Sequence, residues 1–188
     1  MKKITTLSKV NATITVPGSK SITQRALITA ALANGSSELI GPLASEDTKY
    51  TAGALKAMGI DIVEEEDRWL VTGTSGRILP PDQDIFLGNN GTATRFLTSV
   101  AALGSGRFVI TGDERMAQRP IQPLMEALSG WGVDIKSINN TGCPPLAINA
   151  NGLSGGKTLL PEGKSSQYLS SLLLVAPYAR HRAELEVA

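Results

Sequence analysis

Pro17-Gly18-Ser19-Lys20-Ser21-Ile22-Thr23-Gln24-Arg25 closes an alternating stretch and opens an apolar one. Ala12, Ile14 and Val16 alternate with polar residues at strand period, so a strand is expected up to Val16. Pro-Gly breaks it, and Ser19 or Ser21 is placed to cap a helix running from about residue 21 to 33. A helix N-terminus attracts anions through its unpaired N–H groups and the positive end of its dipole. Lys20 adds a point charge at that spot. Arg25, four residues after Ser21, stands on the same helix face and offers a planar fork for a phosphate or carboxylate. The stretch therefore reads as an anion socket at the start of a helix.

The following residues repeat the theme. Asn34-Gly35 stops the helix, a short strand runs from Ser36 to Ile40, and Ser45 caps a second helix with Glu46 and Asp47 in its first turn and Ala54, Leu55 and Met58 on its apolar side. Gly59 ends that helix, and Ile60–Glu64 and Trp69–Thr72 flank a polar turn as a hairpin. The order is β-α-β-α-β-β. It recurs from Asp84: a strand, the turn Gly88-Asn89-Asn90-Gly91-Thr92-Ala93-Thr94-Arg95, a helix through Phe96, Leu97, Val100 and Ala101, a strand at Phe108–Ile110, and a helix opened by Arg119-Pro120 with proline at its first position. Ala127–Ile135 can be laid over Ala54–Ile62, and a hairpin through Asn139-Asn140-Thr141-Gly142 closes the unit. A third copy starts at Gly156, reaches Gly163-Lys164-Ser165-Ser166-Gln167 and the helix after it, and stops near Ala183–Ala188, in mid-unit of what is expected to be a longer protein. The fold class expected is α/β, from repeated β-α-β-α-β-β units, with the first helices of the copies pointing their N-termini at one cleft.

Composition narrows the ligand. The chain has 188 residues, a net charge of +1 and 4% aromatic residues, which disfavours a broad basic face or a stacking surface for nucleic acid and favours a small anion. One cysteine, Cys143, and one histidine, His181, cannot build a disulfide framework or a His/Cys metal site, so no metal is expected. No apolar run of about 18 residues occurs, and the first residues carry no cleavage signal, so no membrane contact and a cytoplasmic location are expected. Gly163-Lys164-Ser165 is not a nucleotide loop, because Thr158 stands where that motif needs glycine. Arg95, four residues after Gly91, repeats the spacing of Ser21 and Arg25 and is read as facing a ligand; Arg119 is either a solvated first-turn residue or a charge aimed into the cleft, and a cation at a helix start, being disfavoured by the dipole, points to an anion partner.

These motifs resemble those of the EPSP synthase family: Pro17–Leu27, Leu87–Arg95, Arg115-Met116-Ala117-Gln118-Arg119-Pro120 and Ser165-Ser166-Gln167-Tyr168-Leu169, in the family's order along the whole chain. The sister enzyme, UDP-N-acetylglucosamine enolpyruvyl transferase, has an Ala-Lys-Asn type first motif and a catalytic-loop cysteine, neither of which stands here, and is the second choice. The resemblance implies two domains of three such units each, this chain covering the first. Residues 1–15 are then a strand segment paired with the second domain, and residues 16–188 belong to a shikimate-phosphate-binding domain whose third unit is cut short.

The resemblance also implies transfer of the enolpyruvyl group of phosphoenolpyruvate to the 5-hydroxyl of shikimate 3-phosphate, without a cofactor. It places shikimate 3-phosphate on Ser21, Arg25, Ser165, Ser166 and Gln167, and phosphoenolpyruvate on Lys20, Gly91, Arg119 and Gln167, with Asn89 lining the site. Lys20 touches both ligands and is the catalytic residue of this half, a proton carrier. Phe96 and Asn90 depart from the smaller residues or proline frequent in the family, which bears on the pocket's shape and on glyphosate. The family's acidic catalytic groups lie in its C-terminal half, so the chain itself is expected to bind shikimate 3-phosphate weakly, as a binding module, and to turn nothing over.

Overall fold

A computed structural model describes residue 6, residues 8–161 and residues 165–188. The Gly163-Lys164 part of the third motif lies outside the described residues.

The first helix, α1 (Lys20–Leu32), leads into strand β1 (Asn34–Ile40), helix α2 (Glu46–Ala57) and the hairpin strands β2 (Asp61–Glu64) and β3 (Arg68–Thr74). β1 and β2 both pair antiparallel with β3, giving the order β1-β3-β2. Then come β4 (Ile85–Phe86), α3 (Gly91–Ala101), β5 (Ser105–Thr111), α4 (Gln122–Gly130), β6 (Asp134–Ser137) and β7 (Leu146–Asn151). Their sheet has the order β4-β5-β7-β6: β5, β7 and β6 pair antiparallel as β1, β3 and β2 do, and β4 is added in parallel on the outer side of β5. The last elements are β8 (Gly156–Leu160), α5 (Ser166–Val175) and β9 (Ala183–Val187), with β8 parallel to β9.

The second helices end in the same way. Gly59 and Gly132 take φ of +90° and +86°, a left-handed stop that a side chain would strain. After each glycine the chain folds back, Ile60 N–H donating to the Leu55 carbonyl and Val133 N–H to the Leu128 carbonyl, both at 3.1 Å. The stripes read from the sequence face the core: Leu55, Met58, Leu124, Leu128 and Trp131 are fully buried, as are Leu97 and Val100 of α3.

Two expectations are corrected. Residues 9–19 form no strand: Ile14 and Val16 are exposed, and nothing in the described chain pairs with this segment. Alternation gives a strand its two faces, but the ladder needs a neighbour to accept its hydrogen bonds. The helix expected to open at Pro120 opens at Gln122, with Pro123 in its first turn. Residues Met116–Gln118 instead form a 3-10 turn held by Met116 N–H on the Asp113 carboxylate at 2.8 Å, and proline after Arg119 keeps that residue extended at φ −92°, ψ 115°. Arg119 is therefore on a loop and not in a helix's first turn.

Trp131 joins the last parallel pair to the rest of the core. Its indole N–H is shared between the carbonyls of Gly156 (3.0 Å) and Glu184 (3.3 Å), at the starts of β8 and β9. Trp131→Phe keeps most of the buried surface and leaves both carbonyls short of a donor; the expected loss is about 1–3 kcal/mol, read as a lower urea midpoint with unchanged slope. An unchanged midpoint would contradict this role.

Candidate active site

The helices α1, α3 and α5 share a property that α2 lacks. None has an acidic residue in its first turn, whereas α2 carries Glu46 and Asp47 there and closes its own end with a capping box between Ser45 and Thr48. Ser19 sits at the cap position of α1, yet its hydroxyl bonds no backbone N–H. Asn90 caps α3 by accepting from Ala93 N–H at 3.0 Å, and Ser165 caps α5 by accepting from Gln167 N–H at 3.3 Å. Each cap satisfies one donor and leaves others of the first turn facing outward with the dipole's positive end.

Side chains tie these ends together. Lys20, the first residue of α1, pairs with Asp47 of α2 at 2.5 Å. Asn90 donates its amide to the Asp47 carbonyl at 2.7 Å, bringing the start of α3 to the start of α2. Gln167 of α5 donates to Thr92 Oγ1 and accepts from Arg95 Nη1, both at 3.0 Å, which joins α5 to α3. Arg25 of α1 lies over the Phe96 ring of α3, 4.9 Å from its centre, and reaches Ser170 of α5 at 3.4 Å.

The two i+4 arginines prove to be more tightly seated than their spacing suggested. Arg25 Nη1 returns to the Ser21 carbonyl at 3.1 Å and Arg95 Nη1 to the Gly91 carbonyl at 2.9 Å, the same back-bond in both helices. Each then stacks on an aromatic ring of the next first helix: Arg25 on Phe96, and Arg95 on Tyr168 at 5.2 Å. The expected ligand-facing role of Arg95 is revised, since its Nη1 is committed to two oxygens within the protein. Phe96 is likewise no pocket wall; it is buried and serves as the seat of Arg25. Asn90 is also buried, as cap and bridge.

Gly91 is the narrow point. A Cβ built there would lie 2.5 Å from Arg119 Nη1 and 2.8 Å from Arg95 Nη1, so two guanidinium groups converge on this one residue. Arg119 touches the Asn89 carbonyl at 3.4 Å, and the Asn89 side-chain oxygen is buried without a partner. Tyr168 holds the segment from below, its hydroxyl donating to the Pro120 carbonyl at 2.7 Å. Among the described residues no carboxylate forms an ion pair with Arg25, Arg95 or Arg119. Like charges gathered without counter-ions at helix N-termini favour an anion at close quarters.

The residues expected to share a site thus fall on one linked set of elements: Lys20, Ser21 and Arg25 on α1, Asn89 and Gly91 at α3, Arg119 on the adjoining loop, and Ser165, Ser166 and Gln167 at α5. Ser21 and Ser166 are exposed, with their hydroxyls free of the bonds that occupy Ser165. Sequence reasoning missed Asp47 as the partner of Lys20, and Phe96, Ser170 and Tyr168 as the seats of the arginines. The pairing of Lys20 with Asp47 spans 27 positions and leaves no local signal. A separate concavity lined by Lys49, Tyr50 and Phe86 runs along α2 and contains none of these residues. Among the described residues no cluster of His, Cys, Asp and Glu could hold a metal ion, and no helix is long and apolar enough to cross a membrane.

This fold is shared with solved structures of an EPSP synthase and of an enolpyruvyl transferase. By fold the chain is similar to EPSP synthase from Acinetobacter baumannii (TM-score 0.83, 28% identity, covering 92% of this chain and 40% of that one). The fold alone is shared with the enolpyruvyl transferase NikO from Streptomyces tendae (TM-score 0.66, 14% identity, covering 92% of this chain and 39% of that one). The family described as EPSP synthase (3-phosphoshikimate 1-carboxyvinyltransferase) matches residues 4–187, and the chain belongs to that family. It is 48% identical over 172 residues to the 3-phosphoshikimate 1-carboxyvinyltransferase of Rhizobium etli (strain CIAT 652), covering 91% of this chain and 40% of that protein. With the enzyme of the same name from Shewanella amazonensis it shares 42% over 184 residues, 96% of this chain and 43% of the other. The chain therefore spans about two fifths of the length of these relatives.

Gly91→Ala tests the narrow point. The new methyl group meets flexible guanidinium ends and not backbone, so stability should change by less than about 1 kcal/mol, helped by alanine's helix propensity. The Arg119 guanidinium should be displaced, visible in its Nε–H resonance or in a crystal structure; an Arg119 left in place would contradict the reading.

Proposed function

We propose that this chain supplies the shikimate-phosphate face of an enolpyruvyl transferase, which moves the enolpyruvyl group of phosphoenolpyruvate to the 5-hydroxyl of shikimate 3-phosphate and releases phosphate. The observation that carries the reading is the gathering of Lys20, Arg25, Arg119 and the acid-free starts of α1, α3 and α5 on one face. Two phosphorylated acids bring several negative charges to one place, and prearranged cations and helix ends offset their repulsion without reorganising at the moment of reaction.

In this reading Ser21, Arg25, Ser165, Ser166 and Gln167 hold shikimate 3-phosphate, and Lys20, Gly91, Arg119 and Gln167 hold phosphoenolpyruvate, with Asn89 beside them. Protonation of the enol methylene carbon turns it into a methyl group and makes the adjacent carbon cationic, the 5-hydroxyl of shikimate 3-phosphate adds there with loss of its proton, and phosphate then leaves as the methyl group gives up a proton to become methylene again. Lys20 is the proton carrier on this face. Its partner Asp47 accounts for where the ammonium rests before a ligand's phosphate or carboxylate competes for it. The opposite wall of the cleft and the acidic groups of the reaction come from a C-terminal domain, with which residues 1–15 pair. The chain by itself then binds shikimate 3-phosphate and turns nothing over, because its cations stay open to water and salt. The location consistent with this chemistry is the cytoplasm.

Calorimetric titration with shikimate 3-phosphate tests the binding role. Arg25→Ala should weaken binding by about tenfold or more, the worth of a charge-assisted hydrogen bond, and weaken phosphoenolpyruvate less. Equal losses for the two ligands would remove Arg25 from the shikimate-phosphate site. In the two-domain enzyme, Lys20→Met should abolish phosphate release while the fold persists; turnover by the purified 188-residue chain would overturn the division of labour.

A further inference from the structure

We propose that Arg95 is a positioning residue that sets which end of the Gln167 amide faces the ligand; the inference rests on the reading of Gln167 as a substrate contact. An arginine has donors and no acceptor, so the amide oxygen must turn toward it. Arg95 Nη1 holds Gln167 Oε1 at 3.0 Å, and this leaves the Gln167 NH2 group pointed at Thr92 Oγ1, also at 3.0 Å. One of the two amide hydrogens is used on Thr92. The other remains to donate to a phosphate or carboxylate. With the amide reversed, its oxygen would face the anion and repel it.

Arg95 is well held for this task. Its Nη1 is also bonded to the Gly91 carbonyl, its Cζ lies over the Tyr168 ring, and its backbone carbonyl accepts from Ser171 at 2.7 Å, so α3 and α5 grip it from both sides. Tyr168 is the residue after Gln167, and the same ring's hydroxyl secures Pro120 beside Arg119. The guanidinium thus orients one ligand group directly and is coupled to a second. A lysine at this position would keep the charge, but it has no planar group to set on the Tyr168 ring, and its flexible stem does not fix the ammonium where Nη1 meets the two oxygens.

The test is a double-mutant cycle on shikimate 3-phosphate affinity, measured by calorimetry at two salt concentrations. Arg95→Ala and Gln167→Ala should each weaken binding by about tenfold, the worth of one hydrogen bond to a charged group. The double variant should bind no more weakly than Gln167→Ala alone, because Arg95 acts through that amide. Arg95→Lys should lose nearly as much affinity as Arg95→Ala while keeping the wild-type salt dependence, and it replaces Arg95→Ala in the cycle if the alanine variant does not fold. Losses that multiply in the double variant would mean that Arg95 acts by its charge alone and would overturn the inference. So would wild-type affinity in Arg95→Lys. If Gln167→Ala binds normally, the site reading itself fails and the inference with it; if Gln167→Ala is weak and Arg95→Ala is not, only the inference fails.

Discussion

Cations gathered without carboxylates at the open ends of helices are the constraint around which this structure is arranged. Arg25, Arg95 and Arg119 would repel one another on a bare surface, and each is held in place by neutral groups. Carbonyl oxygens of Ser21, Gly91 and Asn89 accept from them, and the rings of Phe96 and Tyr168 lie beneath two of them. Neutral seating leaves the charge uncompensated and available, whereas a carboxylate partner would compete with any anion. Lys20 follows the other rule and rests on Asp47. The cluster therefore holds three cations in a fixed array and one on a carboxylate that an anion can displace.

The fold makes this arrangement possible by repetition. Each first helix enters from an irregular turn with no acid in its first turn, and α1, α3 and α5 meet through side chains of their first two turns. The second helices carry acids or proline at their starts and end in left-handed glycines, so they serve the core and stay out of the cluster. Trp131 and the glycine-ended helix α4 fasten the β8–β9 pair, which places α5, and hence Gln167, against α3.

Much of this was legible in the residues because it is local. The apolar stripes at Leu55–Met58 and Leu124–Trp131, the Ser45 cap, and the alternation of β2 and β3 follow from spacing within a few residues. The strand expected at Ala12–Val16 is not formed within this chain, because alternation supplies two faces but no partner, and no described strand lies beside it. Arg119 was misplaced since Pro120 marks a helix start only when the next residues turn at once; the Asp113 carboxylate diverts them into a 3-10 turn first. For the site, the i+4 spacing of Arg25 and Arg95 correctly put them at the helix starts, but the same spacing lets an arginine reach its own helix's carbonyl. Which of the two it does is decided by the aromatic ring of a neighbouring helix about 70 residues on, Phe96 for Arg25 and Tyr168 for Arg95. Such contacts are tertiary and leave no mark in a short window.

The most direct measurement is a map of backbone amide shifts as inorganic phosphate is added to the chain at low salt. The account predicts saturable shifts at Lys20–Ile22, Gly91–Ala93 and Ser166–Gln167, diminishing as chloride is raised, with the starts of α2 and α4 unmoved. Equal shifts at Glu46–Thr48 and at Gln122 and Leu124, or none at the starts of α1, α3 and α5, would contradict it.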